Sequence, residues 1–224
     1  MRHGAVDYVD EAGRLVPPDD VPLTAEGRAQ AAATRALLAD VAVDRVIATG
    51  LPRTRLTAEL VAPGREIETW PDLREIMGAK LSSIPPAELE EAFVGAFHGV
   101  VPNEKRFLGG ETVGELFDRV LPALERLVAD ASWDTVLVVA HGAVNRAILS
   151  YALTGERTFL GRFEQAPGCL NVIDVGGAED LATWVVRAVN VAPSDLAHRR
   201  TRLTQMEEYW AQMVREGGEP PSRT

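Results

Sequence analysis

Short apolar runs alternate with helical segments along the chain, and this alternation limits the fold more than any other feature. The predicted strands 44–48 and 135–140 contain short apolar runs at 46–48 and 136–140, whereas residues 112–128 carry apolar side chains at the i, i+3, i+4 spacing of an amphipathic helix. Apolar strands separated by helices favour parallel pairing with helices on both faces of the sheet. The sequence predicts an α/β fold: a three-layer α/β/α sandwich with a mostly parallel central sheet.

The same patterns predict the remaining helices and strands. The other predicted helices cover about residues 24–40 (with Thr24 as N-cap), 53–60, 85–97, 143–153 and 193–214; the other predicted strands cover about 67–70, 170–175 and 183–189. We expect a single domain over residues 1–214 and a disordered polar tail over residues 215–224. From its position, we expect the segment 78–108 to form a cap over the cleft.

Composition excludes several classes of partner. The net charge of −10 disfavours nucleic acid and anionic membranes, and no apolar stretch is long enough to span a bilayer. Cys169 is the single cysteine, so an intrachain disulfide cannot form and a reducing compartment fits. We therefore expect a cytoplasmic protein. An anionic substrate would need a local cluster of positive groups.

Three of the four histidines are each followed by glycine, and we single out two of these steps as candidates, His3-Gly4 and His141-Gly142. His141 comes directly after the apolar run 136–140, so its side chain is expected at the carboxyl end of a strand, where open α/β sheets bind ligands. We interpret the glycine as allowing a sharp turn that leaves the imidazole exposed above the sheet. Alone, either histidine is more simply a structural residue.

Four ordered segments give these histidines a context. They are Arg2-His3-Gly4, residues 51–59, Leu73-Arg74-Glu75 and Ala140-His141-Gly142. Together they resemble the histidine phosphatase superfamily, also called the phosphoglycerate mutase-like family. Residues 23–31 are similar to the first-helix signature of that family, and residues 109–112 to its Gly-Gly-Glu-Ser segment. The resemblance covers about residues 1–150.

The resemblance implies a role for each of five residues. His3 is the nucleophile that accepts a phosphoryl group, and Glu75 protonates the leaving oxygen. Arg2, Arg53 and His141 bind the phosphate, which suits forked guanidinium donors and an imidazole. These cationic groups replace a metal ion, so we expect neither a metal nor another cofactor.

The resulting hypothesis is a metal-independent phosphomonoester hydrolase of the phosphatase branch, acting on a small phosphorylated substrate. A phosphoglycerate mutase-like activity and a weakly active phosphate-binding or regulatory module remain open alternatives. The last one is suggested by Val6 and Val9, since family members often carry Thr and Asn there. Lys80, Lys105 and Arg106 offer a second anion contact, although solvated surface charges are an equal explanation.

Other features favour plainer interpretations. Glu111 suits a helix start, and His98 and His198 suit surface or packing positions. The last predicted helix carries apolar side chains interpreted as packing or as a homodimer contact: Leu203, Met206, Tyr209, Trp210 and Met213. The family's first apolar strand is reduced here to Met1, because Arg2 follows at once. We expect the native start to lie upstream.

Overall fold

Seven strands and six helices are defined in the computed structural model, which describes residues 1–8, 16–176, 183–197 and 203–217. The strands are β1 (Arg45–Ala48), β2 (Ile67–Thr69), β3 (Val100–Val101), β4 (Val136–Val139), β5 (Phe159–Leu160), β6 (Leu170–Asp174) and β7 (Val185–Val191). The helices are α1 (Ala25–Leu37), α2 (Pro52–Val61), α3 (Leu89–Val94), α4 (Val113–Val128), α5 (Gly142–Thr154) and α6 (Gln205–Gly217).

Helix ends follow recognisable capping signals. The Thr24 hydroxyl accepts from the backbone N–H of Gly27 and starts α1, as the sequence predicts. Thr112 and Glu115 form a reciprocal capping box at the start of α4. Helix α5 ends at Thr154 and is capped by Gly155, whose positive φ of 69° suits a residue without a Cβ atom.

The central sheet has the order β2-β1-β4, and both pairings are parallel. The first residues of the chain lie along the free side of β4: the Met1 carbonyl accepts from Ala140, and the His3 N–H donates to the Ala140 carbonyl. On their other side, the Arg2 N–H donates to Cys169, next to the start of β6. Residues 1–3 thus lie between β4 and the antiparallel β6–β7 pair, and the only ladder contact here is the Arg2–Ala140 bridge.

The two faces of the sheet bury different helices. On β1, Val46 and Ala48 pack with apolar residues of α1 and α2, whereas Ile47 between them packs with α4 and α5. This alternation is the period-two pattern of a strand buried on both sides. The predicted α/β sandwich with a mostly parallel sheet is confirmed.

The prediction of one helix over residues 193–214 is wrong. Residues 193–197 form turns, and the helix starts at Gln205. The start follows from a capping box, because Thr204 and Glu207 exchange backbone-to-side-chain hydrogen bonds. The helix ends at Gly217, and the rest of the predicted tail lies outside the described residues.

Two smaller differences from the predicted elements involve the segment 78–108. The helix expected over 85–97 is a short 3-10 turn, Pro86–Glu88, followed by α3 of six residues. The short antiparallel pair of β3 and β5 has no counterpart among the predicted strands, because two-residue strands leave no period to detect. Phe93 and Ala96 of this segment pack against Met206 of α6.

None of the helices in the described ranges combines the length and apolar character needed to cross a membrane.

Candidate active site

His3 and His141 lie together at the carboxyl end of the central sheet. Their imidazole rings meet edge to face, with centroids 5.2 Å apart and planes inclined at 66°. Hydrogen bonding of the first residues to Ala140 brings His3 beside the end of β4, and His141 lies two residues after β4. The structure therefore brings together the two His-Gly steps that the sequence singles out.

One nitrogen of His3 has a defined role. Nδ1 lies 2.7 Å from the Gly4 carbonyl oxygen, and a carbonyl can only accept, so Nδ1 carries the proton in the neutral ring. Nε2 then holds the lone pair, which is what a nucleophilic imidazole requires. The backbone of the His-Gly step thus selects the tautomer.

The glycines serve close packing here. Gly4 has no positive φ, but a Cβ atom at this position would lie 2.4 Å from the Gly27 carbonyl oxygen. A Cβ atom on Gly27 would in turn lie 2.2 Å from the Ala5 carbonyl oxygen. The interpretation of the His-Gly steps as sharp turns with exposed imidazoles is therefore wrong. The backbone crosses the first turn of α1 at contact distance, and both rings are buried, His3 being 2% exposed and His141 0%.

Three polar side chains hold the segment after His3 in place. The Thr57 hydroxyl accepts from the Gly4 N–H, Gln30 Oε1 accepts from the Ala5 N–H, and Thr24 donates to the Ala5 carbonyl. All three residues belong to motifs identified in the sequence, but these hydrogen bonds to residues 4 and 5 were not predicted. The sequence signal that could have identified them is their position within a few residues of Gly27 or Arg53.

His141 ends a chain of hydroxyl hydrogen bonds. The Thr54 hydroxyl donates to the Leu51 carbonyl, so it accepts from Thr49, which in turn accepts from Nε2–H of His141 at 2.9 Å. This places the ring proton on Nε2 and leaves Nδ1 without a hydrogen-bond partner. Thr49 and Thr54 are positioning residues that sequence reasoning missed.

The two predicted phosphate-binding arginines are both 2% exposed. Arg2 donates to the Gln165 carbonyl and, at 3.2 Å, to the Tyr209 hydroxyl, while Arg53 donates to the Pro18 carbonyl. None of these partners is a carboxylate, so neither guanidinium is neutralised within the described residues. Uncompensated buried cations are costly unless an anion binds to them.

Unpaired buried nitrogen atoms concentrate at this place. Among the described residues, Arg2 Nε, Arg53 Nε and His141 Nδ1 are buried without a hydrogen-bond partner. Buried polar groups are normally hydrogen-bonded, so the two unpaired guanidinium N–H donors indicate a site for an anionic, acceptor-rich ligand. Nδ1 of the neutral His141 ring holds a lone pair and can donate to such a ligand only after the ring is protonated. The arrangement fits a phosphoryl group.

Burial and the surrounding cations keep both histidines neutral. The pKa of His3 is held well below its usual value by burial and by the nearby Arg2 and Arg53. The pKa of His141 is lowered likewise by burial, then by His3, Arg53 and Arg2. At neutral pH His3 is thus available as a nucleophile.

Glu75 lies at the N-terminus of α5. Its carboxylate accepts from the N–H of Gly142 at 2.9 Å, from Ala143 at 3.1 Å and from Ile76 at 3.1 Å. These donors tie Glu75 to the residue that follows His141, although Glu75 and His141 are far apart in the chain. The carboxylate has no cationic partner within 4.0 Å among the described residues.

Two tyrosines lie beside this group of residues, although neither was identified from the sequence as a site residue. Tyr8 and Tyr209 meet edge to face with centroids 5.4 Å apart. Burial, with the neighbouring Tyr209, raises the pKa of Tyr8 well above its usual range. Helix α6, interpreted from sequence as packing, thus also contributes Tyr209 to the site through Arg2.

Some sequence-based candidates lie elsewhere or outside the described residues. Arg106 donates to the Gly110 carbonyl, and Lys80 and Lys105 are exposed. Glu111 pairs with Arg119 and accepts from the Met77 N–H. Val9 and His198 lie outside the described residues. In the described part of the chain, no three His, Cys, Asp or Glu side chains cluster as metal ligands would.

Comparison with known proteins identifies the family of the chain. The sequence model of the histidine phosphatase superfamily (branch 1) matches residues 1–191. A probable 2-carboxy-D-arabinitol-1-phosphatase of Arabidopsis thaliana is 34% identical over 158 residues, which are 68% of this chain. The match spans only 32% of that relative's length.

Two further relatives match over most of their length. A probable phosphoglycerate mutase GpmB of Serratia proteamaculans (strain 568) is 31% identical over 90% of this chain and 94% of its own. The crystal structure of the alpha-ribazole phosphatase from Shigella flexneri shares the fold, with a TM-score of 0.67, 24% identity and coverage of 85% of this chain and 94% of that one. The sequence model of branch 1 matches, and the chain is an enzyme that belongs to the histidine phosphatase superfamily, as its ordered motifs predict.

Proposed function

We propose that the protein is a metal-independent phosphomonoester hydrolase that acts through a phosphohistidine intermediate on a small phosphorylated metabolite. The observation that carries the proposal is the tautomer of His3, whose Nδ1 proton is bound to the Gly4 carbonyl so that Nε2 is free to attack. The unpaired nitrogens of Arg2, Arg53 and His141 supply the anion site beside it.

The reaction has two balanced steps. In the first, Nε2 of His3 bonds to phosphorus while the ester oxygen leaves and takes a proton from Glu75. In the second, water attacks the phosphorus, the P–N bond breaks, and the water proton returns to Glu75 as phosphate forms. Arg2 and Arg53 stabilise the charge on the equatorial oxygens in both transition states.

His141 has a separate task in this scheme. Its Nε2 proton is bound to Thr49, so Nδ1 can donate to a phosphoryl oxygen only after the ring gains a second proton. A bound phosphate dianion places a negative charge beside His141, and it therefore raises the pKa of this ring. Phosphate binding and protonation of His141 are expected to occur together.

A direct experiment is hydrolysis of p-nitrophenyl phosphate with EDTA present, compared between the wild type and His3→Ala. Rapid quenching with 32P-labelled substrate should trap a label that is labile in acid and stable in alkali. Activity that survives in His3→Ala would disprove the phosphohistidine mechanism. Phosphate binding without turnover in the wild type would favour the phosphate-binding module.

A mutase is the second candidate, favoured by the probable phosphoglycerate mutase GpmB that matches over nearly its full length. It predicts conversion of 3-phosphoglycerate to 2-phosphoglycerate after priming with a bisphosphate, which 31P NMR would detect. We place phosphatase activity first, because the sequence lacks the longer insertion usual in mutases.

The location and domain organisation of the protein also belong to this proposal. We propose a cytoplasmic location, a single domain over residues 1–214 and a cap formed by residues 78–108. The packing of Phe93 and Ala96 against Met206 supports the cap, because α6 also contributes Tyr209 to the site. A homodimer is tested by sedimentation equilibrium.

A further inference from the structure

Arg119 of α4 binds the main chain at Glu75. Its Nη1 donates to the carbonyls of Asp72 and Arg74, at 2.7 Å each, and its Nη2 donates to the Glu75 carbonyl at 3.2 Å. Its Nε and Nη2 also donate to the two carboxylate oxygens of Glu111, at 2.7 and 3.0 Å. A guanidinium has five N–H donors, and here five acceptors receive them.

Glu111 binds the same segment on the far side of Glu75. Its backbone N–H donates to the Met77 carbonyl at 2.7 Å, and its carboxylate accepts from the Met77 N–H at 3.0 Å. The side chain of Glu111 is 7% exposed and that of Arg119 is 22% exposed, so the pair is largely shielded from water. Together the two side chains hold the main chain before, at and after Glu75.

The segment 72–77 depends on these contacts because it has little regular secondary structure. A 3-10 turn, Pro71–Leu73, precedes Glu75, and residues 74–80 belong to no helix or strand. Backbone carbonyls outside helices and sheets need other partners. Arg119 supplies such partners to three of them, including the carbonyl of Glu75 itself.

Glu75 is therefore held at two points. Its carboxylate accepts from N–H groups of α5, and its carbonyl accepts from Arg119 of α4. A general acid must lie within hydrogen-bond reach of the oxygen that it protonates, and a displacement of about 1 Å can cost about 100-fold in rate. We propose that Arg119, anchored by Glu111, is a positioning residue that keeps the Glu75 carboxyl within reach of the ester oxygen. This inference rests on the proposed phosphatase activity, in which Glu75 is the proton donor.

The test uses the leaving group as its readout. A misplaced proton donor slows an alkyl ester more than p-nitrophenyl phosphate, whose leaving group needs little protonation. In Arg119→Gln, the ratio of kcat/KM for p-nitrophenyl phosphate to kcat/KM for propyl phosphate should rise by about tenfold or more. An ion pair that only stabilises the fold would lower both values equally. An unchanged ratio in folded Arg119→Gln would thus overturn the proposal.

A double variant tests whether Arg119 acts through Glu75. In Glu75→Gln the proton donor is already absent, so the addition of Arg119→Gln should leave the ratio near that of Glu75→Gln alone. Residues that act independently would instead multiply their effects on the ratio. Multiplied effects would contradict the positioning role.

Glu111→Gln is a milder variant that serves if Arg119→Gln does not fold. It removes the negative charge that anchors Arg119 and keeps an oxygen that can accept from the Met77 N–H. It should raise the ratio in the same direction, by about threefold or more. Urea denaturation establishes that the variant is folded, and an unchanged ratio in the folded variant would overturn the proposal.

Arg126→Gln is the matched control. Arg126 is another arginine of α4, and its Nη2 lies 3.2 Å from the Asp72 carboxylate, at a position where its own side chain is 57% exposed. It thus contacts the same segment through a side chain instead of through the carbonyls around Glu75. The variant should leave the ratio unchanged. A rise equal to that in Arg119→Gln would contradict the assignment to the backbone contacts.

The same assays keep the two proposals apart. Absence of His3-dependent hydrolysis of p-nitrophenyl phosphate in the wild type would refute the phosphatase itself. An unchanged ratio in Glu75→Gln would refute the role of Glu75 as the proton donor. A raised ratio in Glu75→Gln with an unchanged ratio in Arg119→Gln would refute only the positioning role of Arg119.

Discussion

Glu75 binds the backbone of Gly142 at 2.9 Å and so links the proposed proton donor to the residue that follows His141. The carboxylate lies at the N-terminus of α5, where backbone N–H groups and the helix dipole favour negative charge. The proposed acid and the proposed second histidine are therefore placed by the same helix. A change in Glu75 is therefore expected to alter the start of α5 as well as the proposed proton transfer.

Glu75→Gln should lower kcat most for substrates with poor leaving groups. General acid catalysis commonly contributes about 10²- to 10⁴-fold, and an alkoxide needs the proton more than p-nitrophenolate does. We therefore expect a kcat loss for propyl phosphate at least about tenfold larger than for p-nitrophenyl phosphate. An equal loss for both substrates in steady-state assays would assign Glu75 a structural role only.

Thr49→Val should disturb His141 without touching the substrate. The variant removes the acceptor for Nε2–H and releases the tautomer that Thr49 and Thr54 impose. Misplaced catalytic groups commonly cost large factors in rate, so we expect kcat to fall by about tenfold or more. Thr49→Ser keeps the hydroxyl and should restore most of the activity. No rescue by serine would show that packing of the threonine methyl group is what matters.

Stability should fall as the pH drops below about 6.5, the usual pKa of histidine. The pKa values of His3 and His141 are lowered in the folded state, so the unfolded chain binds more protons below this pH. Each group then reduces the free energy of unfolding by up to about 1.4 kcal/mol per pH unit, until its folded pKa is reached. Urea denaturation between pH 7.5 and 5 measures this slope.

A variant that lacks one buried histidine is the control for the slope of the free energy of unfolding against pH. His141→Asn should make it shallower, whereas His98→Asn, at an exposed position in the segment 78–108, should not. Added inorganic phosphate should also reduce the acid destabilisation, because a bound dianion favours protonated His141. An identical slope in wild type and His141→Asn would contradict the burial argument.

Gly27→Ala should destabilise the fold although it lies in a helix. Alanine normally stabilises a helix by about 0.5–1 kcal/mol relative to glycine. Here the new Cβ atom would lie 2.2 Å from the Ala5 carbonyl oxygen, which is backbone and cannot move away cheaply. We expect a net loss of about 1–3 kcal/mol in the free energy of unfolding, measured by urea denaturation. A gain in stability would mean that residues 4–5 shift away from α1.

An alanine-to-glycine substitution on the exposed side of α1 gives the reference value for helix propensity. Ala32→Gly removes a methyl group at an exposed position of α1. It should cost about 0.5–1 kcal/mol through helix propensity alone. Comparison of the two variants separates the packing of Gly27 from the general preference of the helix.

Local sequence patterns determined the elements that carry the site. Apolar runs predict β1 and β4, and the Thr24 cap and the periodicity of α4 predict helices, because their signals lie within a few neighbouring residues. The start of α6 was also encoded locally, by Thr204 and Glu207, but the longer apolar pattern obscured it. Ordered motifs likewise identified His3, Arg53, Glu75 and His141 as candidates, without a contact between them.

Only the tertiary structure decided what these side chains contact. Arg2 meets Tyr209 from the far end of the chain, Glu75 meets the N-terminus of α5, and Arg119 meets the backbone carbonyls at Glu75. Such contacts depend on how helices and strands pack across long separations in sequence, which no local period encodes. The sequence by itself thus determined the family and the chemistry available, whereas packing around His3 decided the tautomer and the buried charge.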